Sequence, residues 1–349
     1  MLLVVEQMPP RTTAGNRRVQ GDGLIAGKTA LPKAPSKAKK PKRFFASIFP
    51  RTPLPNEFGR LMQGLEKSFR QPIWVLIQNA PDNPRKSSPF DEIGFGVFKG
   101  FQTQRHLIQE GKPLALLIES GGGDAHYSYR IARMFQRRAK DLAMIVPQYA
   151  KSAATLLALG GTRLILSRDA ELGPLDVQIF DREKEAYGSA LDDVQALERL
   201  NIFAISAVDQ SMMMYIARTG KRTDVLLPQV LQYATNFLRP LLEKIDTVEY
   251  TRKSRELKVA EDYAVRLMMP NYGIDVAKRI ARQLVERYAT HGFVIDRREA
   301  RLHQRLTAEE TFGLGLNVER PPASAEKLFT RLTPFLDSQT IIGRIEERP

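Results

Sequence analysis

The stretch that decides the fold, residues 114–166, reads LALLIESGGGDAHYSYRIARMFQRRAKDLAMIVPQYAKSAATLLALGGTRLIL. It holds three short, largely apolar runs, at 114–118, 142–146 and 163–166, with helix-like segments between them. Runs without polar alternation are typical of strands that helices cover on both faces. Strands that alternate with helices predict a parallel sheet joined by right-handed crossovers. The sequence therefore predicts an α/β fold.

The same pattern extends in both directions from this stretch. Upstream, apolar residues at helical spacing predict a helix at 57–70, and an apolar run predicts a strand at 73–77. From about residue 187 long helical periodicities dominate, at 208–217, 225–245, 255–269 and 276–288, and a short helix, a glycine-rich turn and a strand-like segment follow over 308–318. The predicted organisation is a basic disordered tail (1–56), an α/β core (57–186), a helical extension with the C-terminal part of the same domain (187–320) and a C-terminal segment (321–349).

The composition is typical of a soluble globular protein and excludes several kinds of chemistry. Hydrophobic residues make up 43% and charged residues 26% of the chain. Cysteine is absent, which excludes disulfides, thiolate nucleophiles, zinc–thiolate sites and iron–sulfur clusters. The four histidines lack metal-ligand spacing, so we predict neither a metal nor a cofactor. Because the uncharged apolar runs fall short of the ~20 residues of a membrane span, we expect a cytoplasmic protein with no transmembrane segment.

The net charge of +14 is concentrated near the N-terminus. Residues 1–56 contain eleven Lys or Arg and two acidic residues, and the run at 33–43 combines basic residues with prolines. This pattern predicts disorder. Either the tail is solvated without a dedicated partner, or it attracts nucleic acid or an anionic membrane. Phe44, Phe45, Ile48 and Phe49 would help the membrane contact.

Two loops follow neighbouring strands of the predicted sheet and carry the candidate chemistry. The first, ESGGGD at 119–124, allows successive backbone N–H groups to converge on an anion or oxyanion at a helix N-terminus. It matches neither a dinucleotide fingerprint nor a phosphate-binding loop. The alternative to an anion-binding role is that the glycines only form a tight strand-to-helix turn. The second loop, PQYAKSAAT at 147–155, places Ser152 at a helix start. There a serine acts as an N-cap or, beside converging N–H donors, as a nucleophile.

The stretch 114–179 resembles the serine dehydrogenase proteinase family of Clp-fold serine peptidases, which is related to signal peptide peptidase A. The resemblance rests on SGGG at 120–123, YAKSAATLLALG at 149–160 and ELGPLDVQ at 171–178. Weaker similarity continues at 255–267, 290–295 and 313–318, so that it covers about residues 71–320. It implies a Clp/crotonase-like fold built from stacked ββα and βαβ units with a C-terminal helical extension.

The resemblance also implies roles for particular residues. Ser152 would be the nucleophile, and the amides of Gly122, Gly123 and Ala153 would form the oxyanion hole. Asp176, in the LGPLD segment, would hold the shape of its loop.

The general base is not assigned by the resemblance. Clp-type peptidases have a histidine about one βα unit after the serine, where this chain reads DVQ at 176–178. His126 and His291 are catalytic candidates, each with a structural or substrate-contact role as the alternative. Related enzymes use a desolvated lysine. Candidate lysines are Lys184, Lys221, Lys244 and Lys258, whereas Lys151 is discounted because neighbouring side chains diverge.

These patterns indicate a serine-type peptidase that acts on a peptide or protein substrate, as a homo-oligomer whose C-terminal helices pack between subunits. A catalytically silent scaffold or binding protein of the same fold, with a basic tail that attracts nucleic acid or a membrane, is the main alternative. An acyl-CoA-handling crotonase, which shares the oxyanion hole, is a further one.

Overall fold

A seven-stranded, mainly parallel sheet lies at the centre of the described chain. The computed structural model describes residues 42–79, 87–176, 178–181, 186–305 and 311–348. Its strands are β1 (Arg43–Ala46), β2 (Ile73–Ile77), β3 (Leu114–Glu119), β4 (Leu142–Val146), β5 (Tyr149–Ala150), β6 (Arg163–Leu166), β7 (Glu171–Leu172), β8 (Gln178–Asp181), β9 (Ala186–Ser189), β10 (Ile295–Asp296), β11 (Gln304–Arg305), β12 (Thr311–Phe312), β13 (Val318–Glu319) and β14 (Ile341–Arg348).

Ten α-helices accompany these strands in the described residues. They are α1 (Asn56–Phe69), α2 (Phe95–Gln104), α3 (Ala125–Gln136), α4 (Ala153–Ala158), α5 (Ala190–Thr219), α6 (Thr223–Leu242), α7 (Thr247–Tyr272), α8 (Ile274–Arg282), α9 (Arg297–Arg301) and α10 (Ala323–Leu336). A 3₁₀ turn follows α2 at Arg105–Leu107, and a π-helical turn follows α8 at Gln283–Arg287.

The central sheet has the strand order β1-β14-β2-β3-β4-β6-β13. Strands β2, β3, β4, β6 and β13 run parallel to one another, and β14 runs antiparallel to both β1 and β2. Because the parallel strands all end at one edge, the loops after β3 and β4 leave the sheet side by side. The predicted α/β fold with a mainly parallel sheet is confirmed.

Helices cover both faces of the sheet, which explains the unbroken apolar strands. Ile73, Val75 and Ile77 of β2 pack with α1 and α10 on one face. Trp74 and Leu76 pack on the other face, where α2, α3, α4, α7 and α8 contribute core residues. Successive strand side chains point to opposite faces, so both sets must be apolar.

Two predicted boundaries are corrected by the structure. The tail predicted at 1–56 extends too far, because Lys42–Pro349 is one compact unit and β1 pairs with β14. Phe44 and Ile48, suggested as membrane contacts, are buried in the core instead. Residues 1–41, with most of the basic run, lie outside the described residues. The segment predicted at 321–349 is not separate from the domain. It forms β14, a strand of the central sheet, and α10, a helix that packs on one face of that sheet.

The helical extension begins with a long antiparallel pair. Helices α5 and α6 pack on each other, and α7 returns from them to the core, where Leu257, Ala264 and Leu267 are buried. By length and composition alone, α5 is the one helix in the described part of the chain that could cross a membrane. Most of α5 is exposed.

Candidate active site

A small three-stranded sheet gathers the predicted site loops. Strand β5 pairs parallel with β7, and β7 pairs antiparallel with β10. The carboxyl ends of β5 and β7 and the amino end of β10 therefore lie at the same edge. Ser152 follows β5, Asp176 follows β7, and His291 precedes β10. A further bridge joins Ser120, after β3, to Ala150.

Ser152 has the backbone conformation of a sharp strand-to-helix turn. Its φ is 51° and its ψ is −121°, a region that non-glycine residues rarely occupy. It sits at the N-cap position of α4, but its side chain makes no capping hydrogen bond. The residue is half-buried, and its hydroxyl is not used to cap the helix. This geometry weakens the N-cap interpretation and resembles the turn on which hydrolases expose a nucleophilic serine.

The glycine loop lies directly against this turn. Gly122 has φ of 114° and Gly123 has φ of 138°, so both positions favour glycine. A Cβ on Gly122 would lie 2.8 Å from the carbonyl oxygen of Lys151 and 3.0 Å from the Cβ of Ser152. A Cβ on Gly123 would lie 2.5 Å from the carbonyl oxygen of Ile93. Close approach of backbone to backbone thus requires glycine at both positions.

The three expected oxyanion donors differ in their availability. The amide of Gly122 donates to Ser120 Oγ at 3.1 Å, so its hydrogen is already used within the loop. The amides of Gly123 and Ala153 have no acceptor within the described residues. Gly122 therefore shapes the loop, and the oxyanion role stays a prediction for Gly123 and Ala153.

The buried hydroxyls of Thr155 and Ser128 form hydrogen bonds that hold the serine turn. The sequence analysis assigned no role to either residue. Thr155 Oγ1 lies 2.6 Å from the carbonyl oxygen of Ala150 and 2.9 Å from that of Gly173, and it accepts the Gly173 amide at 3.1 Å. Ser128 of α3 donates to the carbonyl oxygen of Ala153 at 2.5 Å. These bonds link α3, α4, β5 and the turn after β7, which makes the position of the serine turn rigid.

Asp176 and His291 lie opposite each other beyond the paired residues of β7 and β10. The Nδ1 of His291 is 3.9 Å from Asp176 Oδ2, and this Nδ1 is buried without a hydrogen-bond partner among the described groups. Asp176 is buried and accepts the Leu191 amide at 3.3 Å. Burial raises the pKa of Asp176, while hydrogen bonds from Ser189 and Leu191 and the His291 imidazole act in the opposite direction. The Asp176 carboxyl group thus faces one nitrogen of the imidazole.

His126 contacts the helical extension at Tyr263. It occupies the first turn of α3 and is exposed, and its Nδ1 is 2.8 Å from the Tyr263 hydroxyl of α7. Asp124 caps α3 by accepting the amides of His126 and Tyr127. The contact with Tyr263 fits a structural or substrate-contact role, and a catalytic role for His126 stays a prediction.

The candidate lysines within the described residues lack the burial that a neutral lysine base requires. Lys221 and Lys244 are exposed. The pKa of Lys258 is raised by hydrogen bonds to Glu261 and Asp262. Lys151 forms an ion pair with Glu171 at 2.6 Å. Lys184 lies outside the described residues.

Glu119 is a buried carboxyl group beside the site to which the sequence analysis assigned no role. It ends β3, is fully buried, and accepts the amides of Gln148 and Tyr149 at 3.0 and 3.2 Å. Burial raises its pKa to about 8. Its only signal in the sequence is a charged residue at the end of an unbroken apolar run. The carboxyl group ties the end of β3 to the loop that carries Ser152.

Comparison with known proteins agrees with this geometry. Residues 103–221 match the model of the ClpP-like SDH-type serine proteinases. This match confirms the family resemblance. The matched segment contains the glycine loop, Ser152 and Asp176, whereas His291 lies beyond it. The match to this SDH-type family supports a possible peptidase.

Two curated relatives come from the archaeon Methanocaldococcus jannaschii. The uncharacterized protein MJ0137 is 26% identical over 238 residues, which cover 68% of this chain and 64% of the relative. The uncharacterized protein MJ1495 is 25% identical over 187 residues, covering 54% of this chain and 49% of the relative. The chain thus spans less than two thirds of the length of these relatives. No solved structure matches.

Proposed function

We propose that the protein is a serine peptidase in which Ser152 is the nucleophile. The observation that carries this proposal is the unusual backbone conformation of Ser152. Its hydroxyl does not cap the helix, and it lies beside two backbone amides that have no acceptor within the described residues. A serine at a helix start experiences the positive end of the helix dipole, which favours developing negative charge. The match to the SDH-type family supports the same reaction class.

In the proposed reaction, Ser152 Oγ attacks the carbonyl carbon of the peptide bond. The amides of Gly123 and Ala153 donate to the resulting oxyanion. A base takes the serine proton and passes it to the leaving amine, and water then hydrolyses the acyl-enzyme. Each step needs only groups that the serine turn, the glycine loop and one base supply.

We assign the base to His291, with Asp176 as its positioning residue. His291 reaches the same edge of the small sheet as Ser152, and its Nδ1 faces a buried carboxylate, leaving Nε2 for the serine proton. The distance of 3.9 Å exceeds a hydrogen bond, and such pairs tighten when substrate binds. The exposure of Lys221, Lys244 and Lys258, the candidate lysines within the described residues, supports the histidine.

Cleavage of fluorescently labelled casein by the full-length protein tests the proposal. We expect Ser152→Ala to abolish cleavage and Ser338→Ala, a change at an exposed serine of the α10 end, to leave it intact. His291→Asn should lower the rate by about 10³-fold or more, and His126→Asn by less than about tenfold. Cleavage that survives Ser152→Ala contradicts the nucleophile, and equal losses at both histidines contradict the assigned base.

A further inference from the structure

Helices α2 and α3 carry a strongly basic surface. Residues 95–109 and 125–140, which hold these two helices and the turns that follow them, contain seven Lys or Arg and no Asp or Glu. They are Lys99, Arg105, Arg130, Arg133, Arg137, Arg138 and Lys140. The two helices pack against each other. A concentration of positive charge without interspersed acids creates a local field that attracts anions.

Five of these residues, all of them arginines, line one pocket of about 260 Å³. They are Arg105, Arg130, Arg133, Arg137 and Arg138. On α3, residues 130, 133 and 137 have the spacing that places side chains on one face of a helix. The pocket is thus bordered by a stripe of guanidinium groups on α3 and by Arg105 at the end of α2.

The described chain neutralises one of the five arginines. Arg138 lies 3.6 Å from a carboxylate oxygen of Glu110, and no ion pair joins the other four to a carboxylate within the described residues. Arg133 Nη1 donates to the neutral Gln136 side chain at 3.0 Å. Its Nε is buried and has no hydrogen-bond partner among the described groups. Four positive charges around the pocket therefore lack a counter-charge in the described chain.

Helix stability does not account for this arrangement. Like charges three and four residues apart destabilise a helix. The helix dipole favours basic residues in the last turn, which explains Arg137 and Arg138 but not Arg130 in the second turn. The Cζ of Arg130 lies 3.9 Å from the centre of the Phe98 ring. This stacking orients the guanidinium and leaves the N–H groups at its edge for an external acceptor.

We propose that this pocket binds a chain of adjacent phosphates, as in inorganic triphosphate or the polyphosphate group of a nucleotide. The N–H groups of a guanidinium match two phosphate oxygens at once, and several phosphates bring several negative charges into a small volume. A single carboxylate would balance one of the four charges. An acidic peptide would spread its charges over a longer chain than a pocket of this size accommodates.

Single-stranded nucleic acid is the competing ligand, and the aromatic rings of the pocket disfavour it. Proteins that bind single strands stack the bases on free aromatic faces. The ring of Tyr129 is already stacked on Tyr263, with 4.2 Å between the ring centres. The Phe98 ring is covered by Arg130. The pocket thus offers charge for phosphates, whereas its two aromatic rings are engaged within the protein.

Equilibrium dialysis of the full-length protein with radiolabelled inorganic triphosphate, without divalent cations, tests the proposal. We expect one triphosphate per chain, and orthophosphate to bind at least about tenfold more weakly because it carries fewer charges. Arg130→Gln with Arg137→Gln should weaken triphosphate binding by about tenfold or more with unchanged circular dichroism, since both side chains are exposed.

Arg60→Gln with Arg218→Gln is the matched control. It removes the same charge from exposed positions on α1 and α5 and should leave the affinity for triphosphate within about twofold of the wild type. Every variant keeps the basic residues 1–41, so any binding by that segment is common to all of them. The changes do not touch the serine turn, so the result is independent of the proposed peptidase activity.

The same measurement with radiolabelled ATP distinguishes the two sources of the phosphate chain. Equal affinities for ATP and triphosphate identify the phosphates alone as the ligand, whereas tighter binding of ATP identifies a nucleotide. In both cases the change of Arg130 and Arg137 must weaken binding. The proposal is overturned if neither ligand binds at about 1 mM, or if that change leaves binding intact. A single-stranded oligonucleotide that binds through these arginines, when triphosphate and ATP do not, also overturns it.

Discussion

At the scale of single residues, the site depends on backbone conformations that side chains disfavour. Ser152, Gly122 and Gly123 all have positive φ, and all three lie at the meeting of two loops. Their residue types could be identified from the sequence, since SGGG and a serine at a helix start are visible there. The hydrogen bond from the Gly122 amide to Ser120 Oγ could not be predicted, because it depends on the orientation of the Ser120 hydroxyl in the folded protein.

The glycine loop yields a prediction with a matched control inside the same motif. Gly123→Ala should lower the free energy of unfolding by about 1–3 kcal/mol, because it combines a positive φ with a Cβ close to Ile93. Gly121→Ala should be nearly neutral, since no atom lies within 4 Å of its Cβ position and its φ is not positive. Urea unfolding measures both variants. Equal effects contradict the conformational requirement.

The strained serine yields a second prediction. Ser152→Gly and Ser152→Ala both remove the hydroxyl, but only glycine accepts φ of 51° without strain. We expect the glycine variant to be more stable than the alanine variant by about 1 kcal/mol, with both inactive. Thermal unfolding followed by circular dichroism compares them. An alanine variant that is the more stable of the two shows that the turn stores no strain.

At the scale of elements, the regular strands and helices of the core follow directly from the apolar pattern. The predicted strands at 73–77, 142–146 and 163–166 coincide with β2, β4 and β6. Helix α2 was not predicted, because Gly96 and Gly100 lower its helix propensity. In the fold, Gly100 allows close packing, since a Cβ there would lie 2.5 Å from Ile48. Strand β14 was also missed, because its partners β1 and β2 are distant in sequence.

The connection between β3 and the serine loop gives a prediction about pH. The pKa of Glu119 is about 8 in the folded protein and near 4.5 in the unfolded chain. Glu119 therefore stays protonated to a higher pH in the folded state. Stability contributed by this group is therefore lost as the pH rises from about 4.5 to 8, by up to about 1.4 kcal/mol per pH unit. Glu119→Gln should reduce this slope, since the amide cannot ionise.

Urea unfolding at a series of pH values measures the slope for the wild type and Glu119→Gln. Glu110→Gln is the matched control, because Glu110 is exposed and contacts only Arg138 at 3.6 Å among the described groups. We expect the control to keep the wild-type slope. If Glu119→Gln also keeps it, Glu119 is ionised in the folded protein over this range.

At the scale of the whole molecule, local sequence patterns predict helices and strands, but they do not predict which distant residues contact each other. His291 lies 115 residues beyond Asp176, and antiparallel pairing of β7 with β10 brings them together. The apolar spacing of α5 and α6 predicts two helices, but it cannot say that only a few of their apolar residues face each other. The proposed base depends on this long-range arrangement.

The central claim is that the fold presents Ser152 as an activated nucleophile. The most direct test is the reaction of the full-length protein with a fluorophosphonate probe from pH 5 to 9, followed by mass spectrometry of the labelled peptide. We predict a single adduct on Ser152, no labelling of Ser152→Ala, and much slower labelling of His291→Asn than of the wild type. An adduct on another serine, or equal labelling of Ser152→Ala, would contradict the account.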